Sequence, residues 1–290
     1  MRVRLVVAYD GGSFRGFAVN HGVETVGGEL ERTLSDLCGG PIRLTCAGRT
    51  DAGVHADAQV VHFDLPDLAD PTSAAAVKGH RESSSAVVVN PARWRNSIRS
   101  RSGGRIVLRA LDLVDDDFDA RFSARSRSYC YRLDQRVEPS PTDRRWSWWI
   151  PAPLDRRAMD AATERFVGEH DFAAFCRRAV RSDGTVVPSV RRVQSAGWRS
   201  GSAGAELHID ASAFCHQMVR SIVGTLVEVG RGELTLRDVD TLLEAPDRSA
   251  SPKPAPPHGL TLTDVGYGEL GSALVWAENA SVRWRVAPSQ

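Results

Sequence analysis

The stretch CAGRTDAGVHADAQVVHFDL, residues 46–65, sets Arg49, Asp51, His55, Asp57, His62 and Asp64 among two runs that read as strand. Three readings fit it. An Asp–Ala–Gly sequence makes a turn whose carboxylate caps a backbone N–H, and on spacing alone this reading comes first. An aspartate held rigidly near a sheet edge, with Arg49 two residues away to favour its ionised form, suits nucleophilic or base chemistry. Asp51, His55, Asp57, His62 and Asp64 are also hard or borderline metal ligands, and His62 and Asp64 would share one strand face. Metal-assisted hydrolysis is therefore a rival, although the spacing matches no metal signature and a strand histidine such as His62 has a plain structural explanation.

A second candidate lies far along the chain, in FCHQMVRSIVGTLVEVG at 214–230. Phe214, Met218, Val219, Ile222, Val223, Leu226, Val227 and Val229 make this segment apolar nearly all round, which predicts a largely buried helix over 214–229. Arg220 is its only charged residue before Glu228, and an unpaired interior charge is strongly disfavoured. Either the guanidinium snorkels to solvent or it pairs with a carboxylate from another segment, with Asp51 as the candidate. His216, Arg220 and Gly224 follow one another at helical spacing as a polar and small stripe. A third segment, ARFSARSRSYCYRL at 120–133, interleaves arginines with Phe122, Tyr129 and Tyr131. Tyr129 and Tyr131 would share a strand face. That composition serves base stacking and phosphate contacts, and equally an ordinary edge strand.

The elements that must position these residues follow from periodicity. Strands are expected at 2–9, 42–47, 58–65, 105–114, 128–134 and 260–267, with a hairpin at 190–199 and 205–211. Helices are expected at 25–37 with Thr25 as N-cap, at 90–100, 154–167 and 214–229, and a shorter one at 235–243. EHDFAAF at 169–175 reads as a turn with aromatic anchors, residues 67–85 as a connection, and SPKPAPPHG at 251–259 as a proline-rich connection. The order implies an α+β fold of two halves, 1–112 with the Asp51 loop and 113–290 with the tyrosine strand and the arginine helix, on largely antiparallel sheets.

The chain has 290 residues, 42% hydrophobic and 25% charged, an ordinary globular balance. No apolar run approaches a membrane span, and MRVRLVVAYD reads as a first strand, not a signal peptide. The five cysteines are widely spaced and lack any CxxC, so reduced thiols in a cytoplasmic protein are expected and a structural zinc is not. The net charge of +1 argues against nucleic acid, but its distribution argues for it. Arg93, Arg95, Arg99, Arg101, Arg105 and Arg109 fall in a run without acid, a second run spans 177–199, and acid gathers in DLVDDDFD at 112–119. Such segregation fits a phosphate-tracking surface as well as solvated faces.

Several of these segments together resemble one family, the tRNA pseudouridine synthases of the A (TruA) type. CAGRTDAGVHA at 46–56 is similar to its catalytic loop, while ARFSARSRSYCY at 120–131 and FCHQMVRSIVGTLVEVG resemble later blocks. YDGGSFRGF at 9–17 and APPHGLTLTDVGY at 255–267 resemble its first and last. The resemblance implies isomerisation of uridine to pseudouridine in the anticodon stem-loop at tRNA positions 38 to 40. It implies no cofactor and no metal, tRNA as partner, a homodimer, and no membrane. The fold implied is two similar α/β-sandwich-like domains sharing a mostly antiparallel mixed sheet, with a central basic cleft. By position, Asp51 would be the catalytic aspartate and Arg49 its loop neighbour. Tyr129 would pack on the target base, Arg220 would pair with the aspartate, and Leu260 or Leu262 would line the uracil pocket. His55 and Asp57 then read as support for the loop. The family's usual GWQ and TVQ are GFA and TVG here (Gly16–Ala18 and Thr25–Gly27), and residues 70–105 fit its pattern poorly. A tRNA-binding member with altered position choice, or without catalysis, is the alternative.

Overall fold

The computed structural model describes residues 1–65, 88–177, 183–244 and 248–268, together with the backbone of 282–283; the connection expected at 67–85 lies outside the described residues. The chain forms two compact units. The first holds the described residues within 1–50, 56–124 and from Tyr267 onward, and the second holds 51–55 and 125–266.

The first unit contains β1 (Arg2–Tyr9), α1 (Val26–Cys38), β2 (Thr45–Cys46), β3 (His55–Asp64), β4 (Val88–Val89), α2 (Pro91–Arg101) and β5 (Ile106–Val114). The first residue of β3 belongs to the second unit. Strand β1 runs antiparallel to both β3 and β5, with Leu5 opposite Val61 and Leu111. Its alternation explains the placement: Val3, Leu5 and Val7 are fully buried, while Arg2 and Arg4 on the other face pair with Asp64 and Asp112, each at 2.9 Å. The hydroxyl of Thr25 accepts from the Gly28 N–H at 3.2 Å and so caps α1. Asn90 caps α2 through the Arg93 N–H, and the buried Trp94 of that helix stacks on Phe63. Arg93, Arg99 and Arg101 occupy the exposed side of α2. The strand expected at 42–47 shrinks to Thr45–Cys46.

One departure from the family pattern, Gly27, has a local physical reason in this unit. The Gly27 N–H donates to the carbonyl of the buried Phe17 at 2.9 Å. A Cβ at position 27 would lie 2.6 Å from that oxygen, closer than any side chain tolerates, so TVG follows from how tightly the Phe17 turn approaches α1.

The second unit contains β6 (Ala124–Asp134), β7 (Trp148–Trp149), α3 (Arg156–Glu164), β8 (Gly168–Asp171), β9 (Val190–Ser200), β10 (Gly204–Ala211), α4 (Met218–Gly230), α5 (Leu236–Glu244) and β11 (Leu260–Tyr267). Its strands run in the order β11-β6-β10-β9-β8. The β6–β10, β10–β9 and β9–β8 pairs are antiparallel, while β7 lies parallel to the end of β6. A last short strand, β12 (Val282–Arg283), pairs with β4 in the first unit. On one face Tyr131 and Leu207 sit opposite each other and fully buried. Trp198 of β9 donates its indole N–H to Thr163 of α3 at 3.0 Å, which satisfies a buried polar atom where the helix covers the sheet.

Three expectations need correction here. Helix α4 begins at Met218, not 214, because Gln217 takes a left-handed backbone (φ 68°) and the preceding residues run outside the helix. The turn expected at 169–175 contains β8 and a short 3₁₀ segment, because the edge of β9 offers Glu169–Asp171 a partner that sequence periodicity cannot reveal. The expectation of five reduced thiols also fails. Cys176 and Cys215 form a disulfide with Cα atoms 5.7 Å apart, inside the span such a bond requires, while Cys38, Cys46 and Cys130 take no part in a disulfide. Burial pushes the Cys38 thiol up to about 12, so it stays protonated.

Candidate active site

The Asp51 loop is held by backbone and shape. The Val54 N–H donates to the Asp51 carbonyl at 3.1 Å, and Gly53 adopts φ 82° with Pro257 so close that a Cβ would lie 2.9 Å from its ring. Glycine is required here both by conformation and by contact. Val54 and His55 are buried. The His55 Nε2 lies 3.0 Å from the Arg145 carbonyl oxygen, and its ring stands 4.2 Å from that of Trp146. In the first unit the residues leading to the loop are fixed as firmly. The Tyr9 hydroxyl and Thr50 Oγ1 are 2.7 Å apart, and the Gln59 amide donates to the Gly48 carbonyl at 2.7 Å. Desolvation raises the Tyr9 pKa well above its usual range, despite the opposing hydrogen bonds from Thr50 and Gln59, and the phenol stays neutral.

The loop supplies the partner of Arg220, the charged residue of α4 that the sequence set among apolar ones. Arg220 Nη1 donates to Asp51 Oδ2 at 3.0 Å, with side-chain exposures of 14% and 19% that shield the pair from most of the solvent. The other carboxylate oxygen, Oδ1, lies 3.1 Å from His216 Nε2. The guanidinium hydrogen-bonds one carboxylate oxygen and the imidazole stands beside the other. Arg220 has a second duty: its Nε donates to the Ala255 carbonyl at 2.7 Å, and its own carbonyl accepts from the Ala255 N–H at 2.9 Å. The proline-rich strap at 252–257 is thus tied to α4, and Pro257 at its end meets Gly53. Tyr131 secures the same strap by donating to the Pro256 carbonyl at 2.8 Å, and burial raises its pKa far above the usual phenol range. His258, just beyond, is pushed toward its neutral form mainly by burial.

Strap and helix meet without intervening side chains at Gly224, where a Cβ would lie 2.3 Å from the Lys253 carbonyl oxygen. Backbone cannot yield by changing rotamer, so Gly224→Ala should lower stability by about 2 kcal/mol, as overpacking does. It should also slow any reaction that depends on Arg220. Urea denaturation checks the first effect; a variant as stable as the parent would show that the strap does not rest on this glycine.

The other expected site residues fall as follows. Tyr129 is buried on β6 with its ring edge-on to Phe214 at 5.2 Å. Leu260 and Leu262 are both buried, two residues apart on β11. Arg49 is exposed, and among the described residues the side chains beside the Asp51 carboxylate are Arg220 and His216. The five candidate metal ligands of the loop region are spent separately. His55 serves Arg145, His62 Nδ1 accepts from the Ala120 N–H at 2.9 Å, Asp64 pairs with Arg2, Asp57 is exposed, and Asp51 is held by α4. Among the described residues, the His, Cys and acidic side chains close enough to share an ion are instead Cys130, Glu206 and His208.

His216 is the residue that sequence reasoning undervalued. It stood in the polar stripe with Arg220, and that spacing was the available signal, but only the left-handed turn at Gln217 carries its side chain onto Asp51. Tyr9, Thr50 and Gln59 carried no signal beyond being polar residues in apolar strands or beside them.

A family model described as tRNA pseudouridine synthase matches residues 162–268, which include α4, the strap and β11. The protein named tRNA pseudouridine synthase A of Paramagnetospirillum magneticum is 38% identical over 277 residues, covering 93% of this chain and 96% of that protein. Those of the same name from Brucella ovis and Brucella abortus are 38% identical over 267 residues, covering 92% of this chain and 98% of theirs. Similarity of that extent reaches past the family-model match to take in the loop as well as the helix that holds it, and the chain belongs to the tRNA pseudouridine synthase A family.

Proposed function

We propose that this protein converts uridine to pseudouridine in the anticodon stem-loop of tRNA, at positions 38 to 40, with Asp51 as the catalytic carboxylate. The observation that carries the reading is the carboxylate itself, hydrogen-bonded through one oxygen to Arg220 and flanked at the other by His216. The target nucleotide leaves its stack at a cost of a few kcal/mol, which stacking and phosphate contacts offset. Asp51 serves the step that breaks the bond between uracil N1 and C1′. The base then turns, C5 bonds to C1′, and the proton on C5 is lost. Every atom of the product comes from the substrate apart from exchanged protons, and no electron is gained or lost, so the chemistry calls for no cofactor. Tyr129 packs on the target base, Leu260 and Leu262 line the apolar side of the uracil pocket, and Arg49 with the exposed arginines of α2 contacts phosphate. The protein works in the cytoplasm as a homodimer.

One second reading has a specific motive. The Phe17 and Gly27 departures, with the poorly matching 70–105 region, favour a changed choice of uridine. Incubating the purified protein with unmodified tRNA and mapping pseudouridine decides the matter. Modification at 38 to 40 is expected; modification elsewhere would establish the second reading. Binding of tRNA with no pseudouridine formed would reduce the protein to a silent RNA-binding member.

A further inference from the structure

The contact between His216 and Asp51 raises a physical problem. The His216 side chain is 45% exposed, and so exposed a polar contact contributes little by itself. It persists because the backbone on either side is fixed. Cys215 is bonded to Cys176. The Arg177 N–H donates to the His216 carbonyl at 2.9 Å. Gln217 holds φ 68°, alone in positive φ among the described non-glycine residues, and its side-chain oxygen accepts from Arg248 Nη2 at 3.2 Å. Arg248 in turn donates through Nη1 to the Ala174 carbonyl at 3.2 Å and to Ser221 Oγ at 3.3 Å. Residues 174–177 and 215–217 are therefore clamped together by one covalent bond, one backbone bond and one bridging guanidinium. A left-handed non-glycine residue survives only where its surroundings over-determine it, and such residues gather at functional sites.

We propose that His216 is a positioning residue for the Asp51 carboxylate and that the Cys176–Cys215 disulfide holds it in place, so that reducing the bond slows the reaction. The inference rests on Asp51 being the catalytic carboxylate. Arg220 fixes Oδ2 from a rigid helix, whereas Oδ1 depends on a three-residue approach whose covalent anchor can be opened. In reduction, a thiolate of a small dithiol attacks Sγ of Cys215, the more exposed of the two sulfurs' residues, and Cys176 leaves as a thiolate that takes up a proton. The second thiol of the reductant then displaces Cys215, so the reductant ends as a disulfide and the protein as two thiols, a two-electron exchange. Disulfides in cytosolic proteins are commonly transient and redox-sensing, which fits a bond that joins the buried Cys176 to a half-buried residue next to His216.

The test compares single-turnover release of tritium from C5-labelled uridine in tRNA by the full-length protein, before and after dithiothreitol, with thiol counting to confirm reduction. The variants are His216→Leu, His216→Gln and Cys215→Ser, and tRNA affinity is measured for each. His216→Leu should cut the rate about ten- to a hundred-fold with tRNA affinity unchanged, the scale of a small misplacement of a reacting group. His216→Gln, which keeps a donor for Oδ1, should recover most of the rate. Reduction should slow the parent and leave Cys215→Ser, already slow, unchanged. His216→Leu at the parent rate would overturn the positioning role, and a fully reduced parent at its original rate would overturn the role of the bond. Activity surviving Asp51→Ala would instead remove the catalytic reading beneath both, so the two failures are distinct.

Discussion

Asp51→Ala and Asp51→Asn should each lower tritium release from C5-labelled tRNA by about four orders of magnitude or more, the scale seen when an attacking group is removed. Both remove the carboxylate, and they differ in what they leave behind. Alanine strands the Arg220 guanidinium, which is mostly buried, whereas the asparagine amide oxygen still accepts from Arg220 Nη1. Asp51→Ala should therefore unfold at lower urea than Asp51→Asn while the two are equally inactive. Equal loss of rate with unequal stability separates chemistry from support. Substantial turnover by Asp51→Asn would show that the carboxylate is structural and that another group breaks the glycosidic bond.

Arg220→Ala should carry the second-largest effect, on stability and rate together. Removing one member of a buried ion pair costs about 3–5 kcal/mol; with 14% and 19% of the two side chains exposed, about 2–3 kcal/mol is expected here. Part of that loss lies outside the pair, because the Ala255 carbonyl loses its donor at the same time. The rate should fall about a hundred-fold or more as Asp51 loses orientation. Arg220→Lys keeps the charge but not the fork, and one ammonium cannot take over both the Nε bond to the strap and the Nη1 bond to the carboxylate. It should recover stability better than rate. Urea denaturation and single-turnover assays check both, and an Arg220→Ala protein with parental turnover would sink the assigned role of the pair.

Much of this arrangement was legible before any coordinates. Val3, Leu5 and Val7 alternate with arginines because one face of β1 is buried, and Thr25 announces the start of α1. A lone arginine in an otherwise apolar helix requires a carboxylate partner, and Asp51 was the candidate that α4 turned out to hold. What stayed hidden depends on contacts between distant segments. Arg49 drew attention through closeness in sequence, yet His216 is the second partner of Asp51, delivered by a single left-handed residue that no periodicity forecasts. Two cysteines separated by 39 positions give no sign of pairing. The glycines at 53 and 224 look like ordinary turn and helix residues until Pro257 and Lys253 are seen pressing on them.

The loop that carries Asp51 leaves the first unit at Thr50 and returns to it at Ala56, while its partners lie in the second. Asp51 and Arg220 are 169 residues apart, so their pairing must close a long stretch of chain before it repays the lost freedom. On the proposed reading of Asp51, the site is complete only once residues 51 and 220 are both synthesised and packed together. A fragment of residues 125–266 would keep Arg220 tied to the strap but would lack the carboxylate that Arg220 and His216 flank.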